Sequence, residues 1–297
     1  ITYSKINYTL ADVGEHTYEI AESSTDGKGI TVDTTKYTVT VKVTDDGKGS
    51  LQVEVSGDDH TALNFKNTYA ATGEIELEGT KTLVGRELAA GEFSFELYDA
   101  NGELLQTATN DAKGAFAFEE IKYDLADAGK TFTYTVKEKT GDLAGVTYDG
   151  APIVVKVQIS DNGDGTLSVT NSENATALAF TNEYEASGST QFSGSKTLTG
   201  KNLEADQFSF ELVGADGNKV AEGKNKADGS IAFTAIEYTL ADLAASPITY
   251  TVKEIAGTAP GYTYDETEHT IEVMLVDNGD GTITATADKA AADIVFT

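Results

Sequence analysis

Tyr134-Thr-Val-Lys-Glu138 returns unchanged as Tyr250-Thr-Val-Lys-Glu254, with Tyr18-Glu-Ile-Ala-Glu22 as a looser third copy. Other segments keep the same spacing. Tyr8-Thr-Leu-Ala-Asp12 reappears as Tyr123-Asp-Leu-Ala-Asp127 and Tyr238-Thr-Leu-Ala-Asp242. Asp161-Asn-Gly-Asp-Gly-Thr166 recurs as Asp277-Asn-Gly-Asp-Gly-Thr282, with Asp45-Asp-Gly-Lys-Gly-Ser50 as its counterpart. Lys81-Thr-Leu-Val-Gly85 matches Lys196-Thr-Leu-Thr-Gly200, and Phe93-Ser-Phe-Glu-Leu97 matches Phe208-Ser-Phe-Glu-Leu212. The period of about 115 residues is too long for a solenoid unit and fits one β-sandwich domain per copy.

Within a copy the pattern is all-β. Phe93–Tyr98, Thr131–Lys137, Ile153–Ile159 and Leu178–Tyr184 alternate apolar and polar residues with the period of two that half-buried strands require. Gly-containing turns such as Asn101-Gly102 and Asn162-Gly163 separate them. The Tyr-x-Leu-Ala-Asp stretch reads as a short helical connector, and Ile1-Thr2-Tyr3 reads as a strand. Three divisions follow: 1–70, a partial copy lacking its opening strands; 71–184, the complete copy; and 185–297, which stops just before its last landmark. The junctions are short, as at Glu183–Gly188, so the expected architecture is a set of tandem Ig-like sandwiches stacked end to end as a rod.

The 297 residues carry 49 acidic and 21 basic side chains, a formal net charge of −28. Such a field repels phosphate backbones and anionic lipid, which argues against nucleic-acid and membrane-surface partners. With no Cys, neither disulfides nor thiolate metal sites hold the domains together. No apolar run approaches the roughly 20 residues of a membrane helix. No signal peptide opens the sequence, which is expected to be an excerpt of a longer precursor.

Strand parity singles out three polar residue types. In Ile75-Glu-Leu-Glu-Gly-Thr-Lys81-Thr-Leu83, Lys81 shares its face with Ile75, Leu77 and Leu83, and Lys196 shares one with Phe192 and Leu198. Glu138 aligns with Tyr134 and Val136, Glu254 with Tyr250 and Val252, and Glu22 with Tyr18 and Ile20. Asn182 falls with Phe180 and Tyr184, and Asn67 with Phe65 and Tyr69. Burying an unpaired ammonium or carboxylate costs several kcal/mol, and such groups become neutral instead. A neutral lysine amine is a nucleophile. A protonated Glu beside it can hydrogen-bond the Asn side-chain carbonyl, polarise it and pass protons to departing ammonia. Contact in a dry core supplies proximity, and the product is a Lys–Asn isopeptide bond. The plainer reading is a snorkelling lysine or a partly buried salt bridge. Recurrence of each residue in equivalent places favours the bond.

These residues resemble the major-pilin and adhesin-stalk domains of Gram-positive bacteria, the isopeptide-forming, CnaB-type Ig-like sandwiches of streptococcal backbone pilins. The motifs that carry the likeness are Lys-Thr-Leu-x-Gly at Lys81 and Lys196, Tyr-Thr-Val-Lys-Glu at Glu138 and Glu254, and Phe-Thr-Asn-x-Tyr at Asn182. The resemblance implies Lys81 as attacking amine, Glu138 as proton-handling catalyst and Asn182 as electrophile. It also implies a structural shaft of an extracellular, cell-wall-anchored fibre whose partners are neighbouring copies and possible host ligands, with no cofactor and no turnover chemistry. Cys-free, acidic composition agrees with export. Copy one has Glu22 and Asn67 without a Lys-bearing strand, and copy three has Lys196 and Glu254 but ends at Phe296-Thr297. Only the middle copy is expected to close its bond internally, the others being completed by a longer array or by neighbouring chains. Neither a pilin-type sortase lysine motif nor a sorting signal is present, so shaft pilin and adhesin stalk are not separated.

Other chemistries find little support. The Asp-Asn-Gly-Asp-Gly loops depart from the EF-hand pattern at Gly163 and lack its closing Glu, and read as tight turns rather than metal sites. His16, His60 and His269 occupy non-equivalent places. With 49 acidic residues chance carboxylate pairs are expected, so glycosidase chemistry is unsupported. A ligand-binding adhesin domain remains the competing class. Its site would sit on a long loop or an aromatic groove, whereas most Tyr and Phe here fall inward.

Overall fold

The structure, a computed structural model, describes residues 1–58, 62–171 and 178–297. It is nearly all-β, and each repeat builds its own buried apolar cluster. His60 lies outside the described residues.

The middle repeat shows the layering most clearly. One sheet has four strands in the order Ala115–Ala117, Glu78–Val84, Ala179–Tyr184, Val146–Thr147. The facing sheet has five, in the order Leu167–Asn171, Ile153–Asp161, Thr131–Glu138, Ser94–Tyr98, Leu104–Thr109. Alternate residues of the two sheets meet between them: Leu77, Phe116 and Phe180 from one, Phe95, Leu97, Val136 and Val157 from the other. The Phe95 and Phe116 rings stack at 3.8 Å across the gap. This is the interdigitated sandwich that the period-two pattern requires.

Glu78–Val84 and Ala179–Tyr184 come from opposite ends of the repeat, yet they are hydrogen-bonded neighbours running parallel. The third repeat repeats this pairing between Ser193–Lys196 and Val295–Phe296. There, bonds between Lys219–Asn225 and Ser230–Phe233 merge the two layers into one eight-stranded sheet. The first repeat has a three-stranded antiparallel sheet of Gly14–Ala21, Lys36–Asp45 and Leu51–Gly57, and among the described residues its buried core is Val39, Val41 and Val43, with Tyr8, Tyr18, Ile20 and Leu51 packed against it. Ile1-Thr2-Tyr3 forms no strand, contrary to the sequence reading. Among the described residues no strand pairs with these three, and Ile1 and Tyr3 stay exposed.

The Tyr-x-Leu-Ala-Asp stretches are short 3-10 turns at Leu10–Asp12, Leu125–Asp127 and Leu240–Ala245. Their Asp closes the turn by accepting from the residue before it: Thr9 N–H donates to Asp12 Oδ2 at 2.7 Å, and Thr239 N–H to Asp242 Oδ2 at 2.7 Å. In the first two repeats their Tyr ties the turn to the glutamate-bearing strand. Tyr123 and Tyr134 hydroxyls meet at 2.9 Å, and Tyr8 and Tyr18 at 3.0 Å. The two tyrosine motifs thus recur together because they hold one another.

Candidate crosslinking site

Register brings Lys81 and Asn182 to one place. On the parallel pair, Lys81 is opposite Phe180 and Asn182 is opposite Leu83. The two polar residues therefore lie one step of the same face apart. Glu138, at the end of Thr131–Glu138, reaches them from the other sheet. All three are buried, at 3%, 7% and 0% exposure for Lys81, Glu138 and Asn182.

Glu138 Oε1 is the meeting point. Lys81 Nζ stands 2.8 Å from it, and Asn182 Nδ2 donates to it at 2.9 Å. Glu138 Oε2 has no hydrogen-bond partner among the described residues. The Phe93 ring lies under Nζ at 4.7 Å. Burial pushes the Lys81 amine below the ordinary lysine range, an effect that the Glu138 carboxylate opposes. Natural cores seldom leave charged groups so poorly satisfied. The cluster has the composition of an acid, an amine and an amide held in contact and buried from solvent.

The amide orientation differs from the sequence reading, in which Glu138 bonds the Asn carbonyl. Asn182 Oδ1 instead accepts from the Asp149 backbone N–H at 2.7 Å. A backbone N–H can only donate, so it fixes the carbonyl oxygen on its own side and turns Nδ2 toward Glu138. The carboxyl therefore faces the nitrogen that would leave as ammonia. The carbonyl is polarised by a main-chain donor, the arrangement that stabilises an oxyanion in acyl transfer.

Asp149 is the residue that sequence reasoning missed. Its own carboxylate accepts from Thr181 N–H at 3.3 Å, which anchors the loop to the Asn strand. Asp33 repeats both contacts in the first repeat. Its N–H donates to Asn67 Oδ1 at 2.8 Å, and its carboxylate accepts from Lys66 N–H at 2.7 Å. In the third repeat, Asp265 N–H donates to Glu254 Oε2 at 3.1 Å, and its carboxylate accepts from Thr297 N–H at 2.6 Å. Against the burial that would raise it, hydrogen bonds from Thr267 and Thr297 hold the Asp265 carboxyl down at about 2. The available signal was the Tyr148-Asp149 and Tyr264-Asp265 recurrence just ahead of a strand.

The other copies hold parts of the same constellation. Lys196 Nζ lies 2.9 Å from Glu254 Oε2, 3.1 Å from the Thr297 carbonyl oxygen and 4.6 Å from the Phe208 ring centre. Asn67 Nδ2 donates to Glu22 Oε1 at 2.8 Å, but at a solvent-exposed position. The described histidines serve local packing: His16 Nε2 meets the Asp12 carbonyl at 2.6 Å, and His269 Nε2 meets that of Val295 at 3.1 Å. The Asp-Asn-Gly-Asp-Gly carboxylates are engaged in their own turns, Asp161 accepting from Gly163 N–H at 2.9 Å and Asp164 from Thr166 N–H at 3.1 Å.

A family model described as a Spy0128-like isopeptide containing domain (FctA) matches residues 1–70, 77–185 and 192–297. No curated protein matches the chain. Among solved structures, a major pilin (T-13) of Streptococcus pyogenes is 18% identical, covering 77% of this chain and 97% of its own, with a TM-score of 0.28. The major pilin subunit BcpA of Bacillus cereus, as its D312A variant, is 14% identical over 75% of this chain and 69% of its own, with a TM-score of 0.25. The Bacillus anthracis TIE protein is 16% identical over 96% of this chain, with a TM-score of 0.26, and this chain spans only 42% of its length. Superpositions this loose carry no argument, and the family match stands on its own.

Proposed function

The chain belongs to the family of Spy0128-like isopeptide-containing domains, and on that premise we propose that it is a shaft segment of a Gram-positive surface fibre whose middle repeat locks itself with a Lys81–Asn182 amide. The segment is extracellular and part of a cell-wall-anchored fibre, and its partners are neighbouring copies in that fibre. Residues 1–70, 71–184 and 185–297 form its successive units.

The observation that carries this reading is the buried Lys81–Glu138–Asn182 cluster across the neighbouring end strands. Lys81 first cedes a proton to Glu138, which leaves a neutral amine and a neutral acid. The Lys81 Nζ lone pair adds to Asn182 Cγ, and charge builds on Oδ1 against the Asp149 N–H. Glu138 then donates its proton to Nδ2 and takes one from Nζ. Cleavage of the Cγ–Nδ2 bond releases ammonia and leaves the Lys81–Asn182 amide. Atoms balance with no cofactor, and because the reacting side chains are consumed the chain is not a turnover enzyme. Lys196 with Glu254, and Glu22 with Asn67, are the corresponding partial sets.

The bond joins the strands that lead into and out of the repeat, so tension crosses the amide without unzipping the sheets. Single-molecule stretching tests the role. A repeat free to unfold would lengthen by about 350–400 Å at roughly 3.3–3.6 Å per residue. The expected trace has no such step from the middle repeat, and its appearance would overturn the shaft reading.

A further inference from the structure

The two junctions between repeats are built alike. Tyr69, on the last strand of the first repeat, donates its hydroxyl to Asp161 Oδ1 at 2.7 Å and accepts from Gly165 N–H at 3.3 Å. Tyr184 does the same one repeat later, with Asp277 Oδ1 at 2.7 Å and Gly281 N–H at 3.2 Å. Main chains touch beside each tyrosine. A Cβ on Gly29 would stand 2.6 Å from Gly165 Cα, and one on Gly145 would stand 2.7 Å from Gly281 Cα. Thr72 N–H reaches the Gly165 carbonyl at 3.3 Å, and Ser187 N–H that of Gly281 at 3.2 Å. The Asp-Asn-Gly-Asp-Gly turn is therefore a receptor for the tyrosine of the preceding repeat.

The first repeat carries the same receptor, and among the described residues no tyrosine donates to it. Asp45 Oδ1 accepts from Gly47 N–H at 2.9 Å, matching Asp161 with Gly163 and Asp277 with Gly279, both 2.9 Å. Its glycines hold φ of 68° at Gly47 and 91° at Gly49, against 73° at Gly163 and 90° at Gly165. The turn is thus preset in the geometry of the filled junctions. Its surface, unlike theirs, is open. Leu10 is 70% exposed, whereas its counterparts Leu125 and Leu240 are half-buried, and Gly49 is exposed where Gly165 and Gly281 are half-buried. Leu10, Asp45, Gly47, Gly49, Ser50 and Leu51 line a recess of about 230 Å³.

We propose that this recess docks the tyrosine-bearing end of the last strand of another repeat of the same kind, set head to tail. The phenol hydroxyl donates to Asp45 and accepts from Gly49 N–H, and its ring covers Leu10 and the glycines. Lys48 stands where the filled turns carry Asp164 and Asp280. It lowers the repulsion against an acidic strand end such as Glu183-Tyr184-Glu185. This surface is independent of the crosslink.

Paramagnetic relaxation in solution tests the proposal, because it registers even sparsely populated encounters. The isotope-labelled 297-residue chain is mixed with a spin-labelled peptide of the sequence Phe180–Ser187. The expected result is broadening centred on Leu10, Gly47 and Gly49, several-fold above the rest of the surface. It falls to background with the peptide's Tyr184→Phe form and with Asp45→Asn in the chain. The filled turns at Gly165 and Gly281 stay sharp. Uniform broadening, broadening centred elsewhere, or no response at Gly47 and Gly49 would each overturn the proposal.

Discussion

The paired substitution Lys81→Met with Glu138→Gln removes the nucleophile and the acid while keeping the volume of both side chains. The amide oxygen introduced by Glu138→Gln can still accept from Asn182 Nδ2, so the Asn amide keeps its partners. Removing both members of a buried ion pair is nearly neutral by itself, whereas deleting one member costs about 3–5 kcal/mol. The double variant therefore isolates the covalent contribution. Lys81 and Asn182 close a loop of about 100 residues, for which chain entropy gives about 4–5 kcal/mol by analogy with a disulfide. Unfolding entropy near 2.1 cal/mol/K per residue, over a repeat of about 110 residues, converts that into a fall of about 20 °C. Differential scanning calorimetry reads it directly. The middle-repeat transition drops by about 20 °C and those of the other repeats stay in place. A middle transition that moves by less than about 5 °C would refute the premise that a bond staples this repeat.

Four further outcomes follow from the geometry. Because burial lowers the Lys81 pKa, the neutral amine is populated below the ordinary lysine value of about 10.4; bond formation after refolding should therefore accelerate with rising pH, half-maximal below that value, as followed by intact mass. The same shift has a stability consequence in the bond-incapable Asn182→Ala chain. Between the folded and unfolded Lys81 pKa values the unfolded state binds more protons, so denaturant titrations should show stability rising with pH across that window. Asp149→Ala keeps the N–H but frees the loop from Thr181, and should slow crosslinking by about tenfold, a loss of about 1.4 kcal/mol of transition-state stabilisation. Tyr184→Phe deletes the hydrogen bond to the Asp277 carboxylate and the one accepted from Gly281 N–H at the second junction, and should loosen the middle and third repeats relative to one another, seen as reduced alignment in residual dipolar couplings, at a stability cost of about 2 kcal/mol.

Much of the fold is readable in the residues because each repeat tests the others. Parity places Lys81, Glu138 and Asn182 inward, and the structure brings all three to one carboxylate oxygen. Parity is silent on strand order, so the parallel pairing of the first and last strands had to come from three dimensions. Asp149 escaped because its only signal, the Tyr148-Asp149 and Tyr264-Asp265 recurrence, is a dipeptide among 49 acidic residues, and its decisive group is a main-chain N–H. Amide orientation escaped for the same reason. Tyr184 reads as a core residue by alternation, and its ring is indeed 2% exposed, but its hydroxyl crosses to Asp277 of the next repeat. A period of two cannot reveal that a buried face belongs to an interface. The same limit hid the second role of the Asn-Gly-Asp-Gly turn, whose spacing signals a turn but not the guest it receives.

High-resolution intact mass of the 297-residue chain, followed by digestion, bears most directly on the crosslink. The expected mass is lower than that of the sequence by one ammonia, with a branched peptide joining Lys81 to Asn182. A mass equal to that of the sequence, with both residues in linear peptides, would show that Lys81, Glu138 and Asn182 form only a buried polar cluster, and the self-locking shaft would fall with it.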